Sequence, residues 1–415
     1  MSEQNNRINP EERFGLMEKN HQDYFPLFSS ICRENNFSPA IKKMVDDFVI
    51  GRIGAQKGVR PFIFKQLYLF TGGNDNINYL LAAIELHLAS MYCFNVAADT
   101  KTGYDTADKK ITAFQTQNEI FNLSLKAIDK FTDDNKLSRH IKEIFAKTQN
   151  QFQKGEVLDT IVNLYKNKGK FPREILEEIE NISENEIFNN FGLSKEIIIS
   201  TISELPDKPI IDYTLIRTYG INAAMIENFG LIIGEVLNLE KEKILKLNNY
   251  GKFYGMGMMI VNDVQDYSLD LFDNNEKFAT REKYKSDVFN DIKKGKITWP
   301  IKFALEINNS LDDLFQSKLG DENISYDECN KIRLSLLENG AIKRSVLEAT
   351  FYEKLANDCI KNFENEEIKQ ILFQATTTMM RLSKYIYVLE DKYKIVLKPT
   401  KTEIAERIKR GNIYS

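Results

Sequence analysis

The chain has 415 residues, of which 28% are charged and 42% hydrophobic, and this balance excludes a collagenous, disordered or disulfide-scaffold protein. With 60 acidic and 56 basic residues interspersed, the net charge of -4 gives no electrostatic case for nucleic acid as a partner. Any anion site must be local. Cys32, Cys93, Cys329 and Cys359 form no CxxC, and His21, His87 and His140 offer no zinc spacing, so a reduced chain without a structural metal is expected. The polar stretch Met1–Arg13 lacks the apolar core of a signal peptide, and no run of about 18 consecutive apolar residues stands out. The expected location is the cytoplasm, with no transmembrane segment.

Nine prolines and 20 glycines leave long stretches without a breaker, and in these stretches the apolar residues recur at three and four. The spacing predicts an all-α protein. Ile41, Met44, Val45, Phe48 and Val49 mark a helix from Ile41 to Ile50, after an N-terminal extension of residues 1–40. Leu80 to Val96 is apolar on most faces, which places it deep in a bundle. Lys110–Phe131, Ser138–Gln153 and Val157–Asn167 continue the periodicity. Residues 166–209 turn polar, with Pro172, Pro206, Pro209 and a run of glutamates, and read as an insertion on the surface of a single helical domain spanning 41–395. Ile210–Leu237 and Ile244–Leu271 read as two long apolar helices, and residues 396–415 as a basic tail.

Four constellations carry chemistry. Lys57 and Arg60 stand one turn apart beside Pro61, which suits a helix N-terminus; backbone donors and side-chain charge together fit a phosphate or diphosphate, although a solvated loop would look the same. His87 lies on the apolar helix ahead of Asn95 and Asp99, which share a helix face and could hold one Mg2+ or simply end the helix in solvent. Asn262, Asp266 and Asp270 follow at i, i+4 and i+8 with Asp263 one step away, directly after an apolar run. Carboxylates there are costly to bury unless paired or bound to metal, so this stripe is the sharpest metal candidate. Last, Asp291 precedes a basic turn that brings Lys296 toward an anion held by the acidic run.

Taken in order, from about Asp46 to Leu305, these residues resemble the trans-isoprenyl diphosphate synthase family. Lys57, Arg60 and Pro61 match its Gly-Gly-Lys-x-x-Arg-Pro element, with Ala55 and Gln56 in place of the glycines. Glu85, His87 and Ser90 are similar to its Glu-x-x-His-x-x-Ser approach to the first aspartate-rich motif, and Gly155–Asp159 to the segment that follows. Gly251, Gly255 and Asn262-Asp263-Val264-Gln265-Asp266 resemble the second Asp-Asp-x-x-Asp, and Asp291–Pro300 its Asp-x-x-x-Gly-Lys-x-Thr-x-Pro. The departures are specific: Phe94-Asn95-Val96-Ala97-Ala98 stands where the first Asp-Asp-x-x-Asp should fall, only Asp99 supplies a carboxylate there, no arginine pair follows, and the Lys-Thr pair corresponds to Ile221-Asn222.

The resemblance implies an isoprenoid-synthase-type bundle around a central apolar cavity, walled here by Met91, Phe94, Met258 and Met259. It further implies Mg2+ as cofactor, prenyl diphosphates as substrates, and diphosphate contacts from Lys57, Arg60, His87 and Lys296. The implied assembly is a homodimer or a heteromer with an active synthase. Three readings stay open: a prenyltransferase condensing an allylic diphosphate with isopentenyl diphosphate, a terpene cyclase suggested by the Asn262, Asp266, Asp270 spacing, and a catalytically weak regulatory subunit.

Overall fold

In the computed structural model, residues 10–53, 58–74, 76–98, 106–162, 172–191, 193–205, 213–271, 289–307, 317–363, 365–375 and 378–411 are described; Lys57 and Asp99 lie outside them. Among the described residues every regular element is a helix. The long ones of the first half are α1 (Pro10–Arg33), α3 (Val59–Phe70), α4 (Asn78–Ala98), α5 (Ala107–Phe131) and α6 (Asn135–Val157), with the short α2 (Pro39–Met44) between α1 and α3. Then come α7 (Pro172–Asn181), α8 (Glu184–Phe191), α9 (Lys195–Ser203), α10 (Tyr213–Thr218), α11 (Ala224–Leu237) and α12 (Lys241–Gln265). The chain continues through a single turn, α13 (Asn290–Lys293), to α14 (Trp299–Ile307), α15 (Tyr326–Glu338), α16 (Ala341–Ile360), α17 (Glu366–Ala375), α18 (Thr378–Tyr393) and α19 (Lys401–Lys409).

Three wide, π-type stretches interrupt the regular winding: Val45–Ile53 after α2, Leu158–Val162 after α6, and Tyr219–Ala223 between α10 and α11. Such stretches re-aim side chains and are frequent at functional sites. Two of them border the candidate site below.

The apolar side chains fall into two clusters, one built on α1–α9 and α11, the other on α14–α16 and α18. Helix α12 joins them: Leu247, Tyr250 and Tyr254 belong to the first, whereas Met256, Ile260, Val261 and Val264 belong to the second. Its acidic C-terminal end therefore sits where the two meet. Helix α4 packs chiefly on α5, and α12 packs on both α11 and α16.

Three boundary expectations are corrected. Residues 10–33 are a core helix rather than an extension, because Tyr24, Phe28 and Cys32 are buried against α4. The segment expected as a surface insertion is anchored from within: Ile175, Ile179, Ile187 and Ile198 enter the first cluster, while Glu177, Glu180, Glu184 and Glu186 stay exposed. The basic tail folds back as α19, where Arg407 pairs with Glu348 at 2.6 Å and lies 3.8 Å over the Phe351 ring. Two helical stretches, Asn78–Ala98 and Tyr213–Leu237, are apolar enough to cross a bilayer by composition, but 89% and 67% of their most apolar windows are buried in the bundle. They are core helices here. All four cysteines are free.

Candidate active site

Glycine sets the spacing of the helices that carry the site. A Cβ on Gly155 would come within 2.8 Å of the Ile221 amide nitrogen, and one on Gly220 within 2.7 Å of the Gln151 carbonyl, so α6 and the Tyr219–Ala223 stretch touch backbone to backbone. Gly255 allows the same approach between α12 and Ala223. Any side chain would force these segments apart.

That close approach brings Asp159, on the widened turn after α6, against Arg217 of α10. Arg217 is 3% exposed; its Nε donates to Asp159 and its Nη1 reaches Asp263 Oδ2 at 3.1 Å. Asp159 also pairs with Lys296. Asp263 accepts a further hydrogen bond from the Trp299 amide at 3.0 Å, and the Trp299 indole donates to the Thr218 hydroxyl at 2.9 Å. Burial by itself would lower the Arg217 pKa, but Asp159, Asp263 and Asp291 together hold it well above its ordinary value. For Asp263 burial raises the pKa, with Arg217 opposing it.

Asp266, the cap of α12, completes the group. Burial, and then the neighbouring Asp291 carboxylate, push its carboxyl well above the usual range; the Asp291 amide supplies one hydrogen bond. Its Oδ2 is buried with no hydrogen-bond partner. Asp291 is itself raised to about 6, chiefly by burial, with Lys296 opposing. Four carboxylates, Asp159, Asp263, Asp266 and Asp291, thus face two cations, Arg217 and Lys296, an excess of two negative charges if all are ionised. Such an excess in a buried place calls for protons or a cation. Among the described residues, no three Asp, Glu, His or Cys side chains converge on one point as a complete metal cage.

Helix α4 joins the group through its C-terminal end. Asn95 Nδ2 donates to Glu156 at 3.0 Å, and Glu156 stands one turn before Asp159, so the end of α4 and the charged group share one wall of α6. On α3, Arg60 donates from Nη1 to the Tyr92 hydroxyl at 2.8 Å and from Nη2 to Asn222 at 2.6 Å. Asn222 in turn donates to the Gly255 carbonyl at 2.8 Å, linking α3 to α12. The first constellation therefore meets the helix of the second through Arg60 and Tyr92 and reaches α12 through Asn222, while Asn95 reaches α6 through Glu156.

Several placements differ from the sequence expectation. The stripe of Asn262, Asp266 and Asp270 does not form, because α12 ends at Gln265 and a tight turn follows. Asn262 is exposed, and Asp270 is held by Arg333 at 2.7 Å. His87 is enclosed, its ring stacked 4.6 Å from Phe145 and its pKa lowered to about 3 by burial, so it is neutral at pH 7 and offers no charge to an anion. Of the expected cavity wall, Met91 and Phe94 are buried, with the Phe94 ring against Phe114 and Phe152; Met259 is buried and Met258 partly so. The residues that sequence reasoning missed are Arg217 and Thr218. The sequence expectation sets the Lys-Thr pair at Ile221-Asn222, one turn further on; a cation followed by threonine at 217–218 is the signal that the chain carries.

No family model matches the chain. A curated prenyl transferase from Cyanophora paradoxa is 27% identical over 147 residues, 35% of this chain and 38% of that protein, so the match spans well under half of the relative. Among solved structures, geranylgeranyl pyrophosphate synthetase from Pyrococcus horikoshii Ot3 superposes with a TM-score of 0.63 at 17% identity, covering 89% of this chain and 98% of that one. The fold is that of the isoprenyl diphosphate synthases. A polyprenyl synthase from Caulobacter crescentus CB15, solved with calcium and isoprenyl diphosphate, gives a TM-score of 0.63 at 15% identity over 89% of this chain and 97% of its own. A decaprenyl diphosphate synthase from Rhodobacter capsulatus gives 0.62 at 15% identity over 90% and 99%. In this isoprenyl synthase bundle the Asp159–Arg217–Asp263–Asp266 group lies at the junction of the two core clusters.

Proposed function

We propose that the chain is a divergent prenyltransferase that binds a prenyl diphosphate through Mg2+ and condenses an allylic diphosphate with isopentenyl diphosphate. The observation that carries this is Asp266: a buried carboxylate oxygen without a partner, beside Asp291 and Lys296, in a group with more negative than positive charge. Mg2+ keeps most of its waters and takes one or two carboxylates plus substrate phosphate oxygens, so an incomplete cage of Asp266 and Asp291 fits its chemistry. Bound there, the ion would supply Lewis-acid stabilisation of the charge that develops on a departing pyrophosphate. Lys296 would add a positive charge on the same side once it shifts from Asp159 toward the anion.

Arg217 holds Asp159 and Asp263 by hydrogen bonds and opposes the upward push of burial on the Asp263 pKa, and the Trp299 amide gives Asp263 a further hydrogen bond. Lys57 is proposed for the isopentenyl diphosphate; for Arg60 to join it, the guanidinium would release Tyr92 or Asn222. The same reading takes the enzyme as cytoplasmic and homodimeric.

A second reading, a catalytically weak partner of an active synthase, draws on Phe94 and Asn95. They stand where the first aspartate-rich motif is expected, and the Phe94 ring is packed among aromatics rather than facing a metal. The cyclase reading loses its argument, since it needed Asn262, Asp266 and Asp270 on one face.

The test is to incubate the purified protein with Mg2+, isopentenyl diphosphate and allylic diphosphates of increasing length, and to identify products by mass spectrometry. Elongated diphosphates, abolished in Asp266→Asn, are expected. Hydrocarbons or alcohols as products, or full activity in Asp266→Asn, would overturn the proposal; silence alone with activity restored by a second prenyl synthase chain would favour the partner reading.

A further inference from the structure

Asp266 and Asp291 belong to two segments separated by residues 272–288, which lie outside the described residues, yet a single side chain touches both. Arg333, on α15, is 0% exposed. Its Nη1 donates to both oxygens of Asp270, at 2.7 and 3.0 Å, and to the Tyr267 carbonyl, the residue after Asp266, at 3.3 Å. Its guanidinium carbon lies 5.0 Å from the Phe289 ring, two residues before Asp291, and 5.6 Å from the Tyr393 ring. Nε and Nη2 are taken by Asn330, which also accepts from the Tyr393 hydroxyl at 3.2 Å, and the Tyr326 hydroxyl donates to Asp270.

The backbone at Phe289 makes the hold specific. Its φ of 61° is left-handed, an unusual conformation for a bulky aromatic residue, and it starts the turn that presents Asp291 and Lys296. A conformation of that kind persists only where its surroundings fix it. The fixing elements are the Arg333 face on one side and the Tyr326 ring, 5.7 Å away, on the other.

We infer that Arg333 is a positioning residue: through Asp270 and Phe289 it clamps the two backbone segments that carry Asp266 and Asp291, setting the separation of the proposed Mg2+–diphosphate ligands. The inference rests on the reading of that site given above. Asp270 is then no metal ligand but the carboxylate by which the clamp grips the turn. A planar, five-donor guanidinium does this in a way a lysine would not, since it bonds the turn in its plane while its faces pack on rings.

The experiment measures Mn2+ binding in the presence of inorganic pyrophosphate, by electron paramagnetic resonance titration, on the full chain. Five proteins are compared: wild type, Arg333→Met, Asp270→Asn, their double variant and Arg407→Met. The last breaks a buried arginine–carboxylate pair of similar burial on α19, far in sequence from the site, and serves as the matched structural control. Arg333→Met and Asp270→Asn should each weaken Mn2+–pyrophosphate binding about tenfold, the loss usual when a partner behind a metal ligand is removed. The double variant should be no worse than either single, and Arg407→Met should bind as wild type although it melts earlier. Wild-type affinity in Asp270→Asn, or an equal loss in Arg333→Met and Arg407→Met, would overturn the clamp while leaving the site reading intact. Failure of the wild type to bind Mn2+ with pyrophosphate would instead overturn the site reading, and the clamp with it. If Arg333→Met does not fold, Asp270→Asn decides.

Discussion

Replacing Arg217 with methionine removes the charge that faces Asp159 and Asp263 while roughly keeping the side-chain volume. Lys296 still neutralises Asp159, and the Trp299 amide still bonds Asp263, so the damage concentrates on the Asp263 carboxylate, which is 1% exposed. Breaking one partner of a buried pair costs about 3–5 kcal/mol, and the surviving hydrogen bond argues for the lower half, about 3–4 kcal/mol at pH 7. The pH dependence follows from the sign of the shift. Burial already raises the Asp263 pKa and Arg217 opposes it, so the variant raises it further. A carboxyl whose folded pKa lies above its unfolded value of about 3.9 binds extra protons when folded, and it loses stability as pH climbs from that value through the folded pKa. The deficit of Arg217→Met against wild type should therefore be largest near neutrality and shrink toward pH 4. Urea denaturation followed by circular dichroism, read as midpoint at unchanged slope, measures it at both pH values. Adding Asp263→Asn should return part of the loss, because the orphaned charge is gone. An unchanged midpoint at pH 7, or a deficit that grows on acidification, would refute the assignment of Arg217 as the neutralising centre.

Other outcomes follow from the same geometry. Glu85 is raised to about 7, first by burial, so wild type should lose stability from about pH 4.5 to pH 7; Glu85→Gln, keeping an acceptor for Tyr24, should be more stable than wild type above pH 7 by about 3 kcal/mol, read in a melt series against pH. Gly155→Ala would press a methyl within 2.8–3.1 Å of Ile221 and Gly220 and should cost about 1–3 kcal/mol, seen as a lower denaturation midpoint; no change would mean that the two backbones separate freely. Because metal-bound carboxylates must be ionised and burial raises both Asp266 and Asp291, Mn2+ affinity should fall as pH drops, most steeply below about 6, the value for Asp291, and Asp291→Asn should make that dependence shallower in an isothermal titration.

Much of the architecture was legible from the chain. Apolar residues at three and four spacing give helices whatever surrounds them, since that stripe has to be buried somewhere. Helix α4, apolar around nearly its whole circumference, reads as a core helix, and 89% of its most apolar window is buried in the bundle. The order of Arg60, His87, Asp159, the acidic run at 262–266 and Lys296 also lies in the sequence, and it was enough to suggest the isoprenyl synthase bundle.

What each of those side chains touches was settled by tertiary packing. Period alone put Asn262, Asp266 and Asp270 on one stripe, but a helix ends where its neighbours stop supporting it, and α12 stops at Gln265. Asp270 then meets an arginine 63 residues further on. The pairing of Arg217 with Asp159 and Asp263 spans 58 and 46 residues and depends on glycine contacts that bring three helices to backbone distance. His87 carries the same ring in any context; enclosure beside Phe145 is what removes its charge. Local spacing fixes which residues can share a face, whereas burial and long-range pairing decide which charges survive there, because the cost of an unpaired charge depends on what the rest of the chain packs around it.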